Sequence, residues 1–141
     1  MAILSRNLTD RQKDAYLHSM SYILNIDKKE NGDKKEYLKT KLHELGLPLS
    51  NLSKIKKGIT AEEVVRQLRG IGNIRVRRFI LRDMILLALS DRELTDEEIQ
   101  TIYKIGTGAN IKQEKINDLF LWAAKGVEWQ IEGARLVEED L

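Results

Sequence analysis

Phe79-Ile80-Leu81-Arg82-Asp83-Met84-Ile85-Leu86-Leu87-Ala88-Leu89-Ser90-Asp91-Arg92-Glu93-Leu94-Thr95-Asp96-Glu97-Glu98-Ile99 is the stretch whose pattern decides the fold. Phe79, Ile80, Met84, Leu87 and Ala88 recur at the three- and four-residue steps of one helix face, and Val76 extends that face backward. Asn73 caps this helix, which is expected to run to Ser90. A short acidic turn follows, and Thr95-Asp96-Glu97-Glu98 then has the form of a capping box. In it the threonine hydroxyl and the glutamate side chain each satisfy a free amide at the start of the next helix. The apolar run Met84–Leu89 is too short for a membrane span, which needs about 20 residues.

The same punctuation organises the rest of the chain. Thr9-Asp10-Arg11-Gln12 is a capping box that opens a first helix, with Ala15, Met20, Tyr22, Ile23 and Ile26 as its apolar positions. A polar turn, Asp27 to Gly32, leads to a second helix from about Asp33 to Leu45, on which Leu38, Leu42 and Leu45 share a face. Gly46 and Pro48 stop it. Leu49 to Lys57 reads as a short helix ended by Gly58, and Thr60-Ala61-Glu62-Glu63 opens another to Arg69. After Thr95, Ile99, Ile102 and Ile105 lead to a stop near Gly106-Thr107-Gly108, and a last helix spans about Lys112 to Asp140. No segment has strand periodicity. The expectation is all-α, one domain over residues 1–141, a compact bundle of about seven helices. A faint repeat, Leu42-His43-Glu44-Leu45-Gly46 against Ile102-Tyr103-Lys104-Ile105-Gly106, suggests two related helical-hairpin halves and sets Asn31-Gly32-Asp33 against Asp91-Arg92-Glu93.

With 42% hydrophobic and 33% charged residues, the 141-residue chain falls in the globular rather than the disordered range. There is no cysteine, which removes disulfides, thiolate nucleophiles and cysteine zinc sites together. Residues 1–10 lack the charged start and apolar run of a signal peptide, so a cytoplasmic protein is expected. Charge is uneven: residues 28–82 carry +9 and residues 83–141 carry −7. Such asymmetry points to an anionic partner for one half and a cationic partner or metal for the other, or simply to a solvated helical surface.

Catalytic constellations do not emerge. His18 and His43 lie on separate helices, and no nucleophile–base pattern or phosphate loop accompanies them. Loops starting at Asp27 and at Asp91 both fail the EF-hand pattern, the first at Lys29 and Leu38, the second at Asp96 and Ile102. Asp91, Glu93, Asp96, Glu97 and Glu98 still cluster as hard oxygen donors suited to Ca2+ or Mg2+, or as acids that a helix dipole stabilises.

The run Phe79–Ile99 resembles the TerB-like tellurite-resistance family. The pattern there is an apolar helix ending in a small residue and Asp-Gly, then a hydrophobic residue, then a glutamate opening the next helix. Asp91, Leu94 and Glu98 hold those places here, and Arg92 stands where the pattern has glycine. The resemblance covers about residues 79–127. It implies a helical, mostly non-enzymatic protein of chemical-stress or phage-defence systems, associated with membrane-linked complexes and divalent-metal sensing. Its acidic residues carry over as Asp91, Glu93 and Glu98.

A second resemblance competes. Leu68-Arg69-Gly70-Ile71-Gly72-Asn73-Ile74-Arg75-Val76-Arg77-Arg78-Phe79-Ile80 is similar to a helix–hairpin–helix DNA-binding motif. It implies a nucleic-acid partner bound without sequence preference, with Gly70 and Gly72 forming the hairpin and Arg75, Arg77 and Arg78 meeting the phosphate backbone.

The last helix carries two apolar stripes. Ile116, Phe120, Ala123, Val127, Ala134 and Leu141 suit the domain's own core. Leu119, Trp122, Gly126, Trp129, Gly133 and Leu136 form a neighbouring stripe near heptad spacing, more apolar than a solvated face. Trp122, Trp129 and Leu136 are therefore expected at an interface with a protein partner or a second copy, with at least one indole exposed in the monomer.

Overall fold

The computed structural model describes residues 8–26, 32–48 and 58–140, and the expected helix over residues 49–57 lies outside them. Among the described residues there are six α-helices: α1 (Asp10–Ile26), α2 (Gly32–Glu44), α3 (Ala61–Arg69), α4 (Ile74–Ala88), α5 (Asp96–Gly108) and α6 (Gln113–Glu138). No strand occurs among them.

The helix ends follow from local chemistry. Thr9 and Gln12 exchange bonds across the first turn of α1, at 3.0 and 3.2 Å. Thr95 and Glu98 do the same at α5. Thr60 supplies half of such a box, accepting from the Glu63 amide, and Asn73 accepts from the Arg75 amide. Gly46 follows α2 with φ +69°, a left-handed conformation that glycine adopts without a Cβ penalty.

The hub is α4, against which α1, α2, α5 and α6 all pack, while α3 bridges α1 and α5. Its quoted apolar face is buried as the pattern predicts, and Leu81 and Ile85 are buried as well. A helix apolar on so much of its circumference must be surrounded, which makes it the centre of the bundle. The buried residues of all six helices form one continuous cluster.

A polar linkage crosses this core between α1 and α4. The Tyr16 hydroxyl donates to Asp83 Oδ2 at 2.7 Å, and Arg82 donates to Asp83 Oδ1 at 3.0 Å. Burial, reinforced by the Asp83 charge, pushes the Tyr16 phenol well above its ordinary range, so it stays neutral and keeps donating. Asp83 thereby meets a donor on each oxygen, which is what a buried carboxylate requires. Tyr16 also stacks on Phe79, with centroids 5.9 Å apart, fixing α1 on α4.

Where α6 leaves the bundle is set by glycine. A Cβ at Gly106 would come within 2.7 Å of Ile116 Cδ1 and 3.1 Å of Leu81 Cδ2, so only glycine lets α5 approach α4 and α6 this closely. Tyr103 stacks on Phe120 with centroids 5.1 Å apart and secures the same root. Ala123 is the last buried residue of α6. Beyond it the helix runs on for about four turns, roughly 22 Å, with only Val127 partly covered.

Candidate functional site

Three places were singled out by sequence, and the fold treats them differently. The acidic corner between α4 and α5 gathers Asp91 and Glu98, but around a side chain rather than an empty space. Lys34, from the first turn of α2, is 1% exposed. Its Nζ donates to Glu98 Oε2 at 2.8 Å and lies 3.8 Å from Asp91 Oδ2. The other oxygen of Glu98, Oε1, accepts from the Thr95 amide and hydroxyl. Glu93 is exposed, and its amide donates to Asp91 Oδ1. Asp91, Glu93 and Glu98 therefore do not converge on one point. With an ammonium held 2.8 Å from Glu98, this donor set fits an internal cation and does not fit a divalent ion. Among the described residues no group of three or more His, Cys, Asp or Glu is arranged to hold a metal.

Sequence reasoning missed Lys34. The signal was present, since Lys34, Leu38 and Leu42 are spaced by four and share the buried face of α2. Lys34, the residue after one of the segments paired by the faint repeat, reaches Asp91 in the other. Arg92, where the family pattern has glycine, takes φ +64°. The backbone at this corner thus has the left-handed conformation in which glycine is unstrained.

The Gly70–Gly72 segment does join two helices, α3 and α4. The Gly70 amide bonds back to Arg66 O and the Ile71 amide to Leu68 O, so those two are occupied, whereas the Gly72 amide makes no backbone bond among the described residues. Arg77 is engaged inside the protein, donating to Ala109 O at 2.8 Å and to Gly72 O at 3.5 Å. Arg78 is half-buried, and Arg75 alone of the three is exposed. Arg77 is thus turned toward the protein's own carbonyls, while Arg75 and Arg78, three residues apart, share a side of α4.

The third place is the distal half of α6. The inward stripe behaves as expected through Ile116, Phe120, Ala123 and Val127, but Ala134 is exposed because the bundle does not reach that far; Leu141 lies outside the described residues. The neighbouring stripe starts at Leu119, which packs partly against the core, and is solvent-facing beyond it: Trp122 is 52% exposed, Trp129 76% and Leu136 59%. Leu121, Ile131 and Val137, which the stripes did not include, are exposed too. Between Trp122 and Trp129 on one side and Tyr37, Leu86 and Leu89 on the other lies an open groove of about 680 Å3. Isolated surface leucines are ordinary, but Trp122, Trp129 and Leu136 lie along one face of the projecting helix, an apolar stripe of the kind that marks a binding surface.

Comparison with family models, with curated proteins and with solved structures gives no match for this chain. No helix among the described residues is long and apolar enough to cross a membrane.

Proposed function

We propose that this chain is a non-enzymatic, TerB-like helical interaction module whose working surface is the distal half of α6. The observation that carries the proposal is the exposure of Trp122, Trp129, Leu136 and their apolar neighbours on a helix that projects beyond its own core. Indole side chains are frequent interface anchors, because they bury much area at little conformational cost. A protein gains nothing in monomer stability from extending an apolar helix into water; binding gives that extension a use. The left-handed φ of Arg92 supports the TerB-like resemblance, since the family's glycine occupies that corner. A role in chemical-stress or phage-defence systems follows from that resemblance. Interaction is favoured over divalent-metal response, because Lys34 stands where a metal would sit.

Quenching by acrylamide in dilute, monomeric protein tests the proposal. Both indoles are expected to emit as solvated chromophores and to be readily quenched. Blue-shifted, quencher-resistant emission from the monomer would show the stripe to be covered by the protein itself and would end this reading.

A further inference from the structure

Resting on that reading, we infer that the occupant of the α6 face is a second copy of this chain, paired antiparallel with the two-fold axis passing between Val127 and Glu128. Leu119, Trp122, Gly126, Trp129, Gly133 and Leu136 alternate in steps of three and four, the spacing of a two-helix seam. In an antiparallel pair about that axis, Trp129 faces Gly126 of the second copy, Trp122 faces Gly133, and Leu136 faces Leu119. Each indole thus meets a position with no side chain, and the leucines meet each other. One axis satisfies all six positions.

The glycines supply an independent reason. A Cβ at Gly126 or Gly133 would meet nothing within 4 Å, unlike one at Gly106 or Gly108, which would collide with Ile116 or Val65. Glycine in a helix interior is unfavourable, so an exposed glycine with open space around it has no role within the monomer. Opposite an indole from another helix it has one, because it admits the ring at close approach.

Charge complementarity agrees with the same axis. Two-fold symmetry sets the same flank of the two helices side by side, which places Lys125 of one copy about two residue rises, roughly 3 Å along the axis, from Glu132 of the other, twice over. Neither side chain forms an ion pair among the described residues of the monomer. At the outer ends Asp118 meets Glu139, a like-charged pair at the edge, where solvent screens it and where Glu139 is already paired with Arg135.

Area sets the strength. The exposed parts of the two indoles and Leu136 bury roughly 400 Å2 per copy, about 800 Å2 for the pair. The flanking residues and the Leu86 and Leu89 wall of the groove extend this toward the roughly 1,200 Å2 at which specific interfaces begin. An area at that lower limit suits a pair that separates on dilution.

Sedimentation of the full chain with charge-swapped variants is the test. Lys125→Glu and Glu132→Lys each weaken dimerisation about tenfold, and the double variant, or an equimolar mixture of the two single variants, restores it. Trp129→Ala weakens it by roughly a hundredfold. Because the chain has no cysteine, Lys125→Cys and Glu132→Cys chains report the geometry: mixed, they form a disulfide-linked heterodimer in preference to either homodimer. A dimer insensitive to the swaps, or preferential linking of like chains, overturns the inference. A chain that stays monomeric at high concentration with freely quenched indoles overturns self-pairing and leaves the docking surface standing. Monomer with shielded indoles defeats both.

Discussion

Replacing Lys34 with methionine keeps most of the apolar stem that packs in α2 and removes only the ammonium. Glu98, itself 3% exposed, then loses a cation 2.8 Å from Oε2 and cannot recover it from water. Breaking a buried ion pair from one side costs about 3–5 kcal/mol. Glu98 keeps its bonds to the Thr95 amide and hydroxyl through Oε1, and Asp91, the more exposed partner, can rehydrate. Both facts favour the lower end, about 3 kcal/mol, which for a chain of this size lowers Tm by roughly 10 °C. Changing Glu98 to glutamine in the Lys34→Met background removes the unpaired charge. The double variant should therefore be more stable than Lys34→Met alone, with a coupling energy of about 2 kcal/mol. Chemical denaturation and calorimetry on the four proteins supply these values. The parent should show no Tm shift with millimolar Ca2+ or Mg2+, since its own ammonium fills the corner. A Lys34→Met protein within about 1 kcal/mol of the parent, or additive single and double variants, would refute this account of the corner.

Three further outcomes follow from local geometry. Arg92→Gly should stabilise the protein by roughly 0.5–1 kcal/mol, because relief at φ +64° exceeds the added freedom of the unfolded chain; denaturant midpoints check it. Gly106→Ala should cost about 1 kcal/mol, overpacking at Ile116 and Leu81 outweighing better helix propensity, while Gly133→Ala, with open space, should gain a few tenths to 1 kcal/mol in the monomer. Tyr16 keeps its proton in the folded state well above its ordinary pKa, so its contribution is complete below about pH 10 and falls as pH rises beyond that; stability measured from pH 8 to 11 should decline only at the alkaline end.

Much of this fold is readable from single residues that govern the chain near them. Thr9 with Gln12, Asn73, and Thr95 with Glu98 mark helix starts to within one residue, because each satisfies backbone groups only a turn away. The α4 face is equally plain, since its period records a burial that continues along the whole helix. Pairings across the chain are another matter. Nothing beside Tyr16 announces Asp83, 67 residues on, and Lys34 sits in a run of charges that looks like surface until its spacing from Leu38 and Leu42 is weighed. The acids at Asp91 and Glu98 were recognisable as a cluster, but the cation they serve is supplied by a distant helix. On α6, periodicity separated two stripes but could not say where the bundle ends. Ala134 has the right phase for burial and no neighbour to be buried against, whereas Trp122 and Trp129 are exposed as their stripe suggested.

Hydrogen exchange along α6, read residue by residue over a concentration series, tests the central claim most directly. In dilute protein, amides of residues 116–123 should be protected with the core, and those of residues 124–138 should exchange far faster, as a helix without tertiary cover does. At high concentration the distal amides should slow markedly while the core is unchanged. Uniform protection of the whole helix at every dilution would contradict the account, because the distal face would then be covered within the monomer.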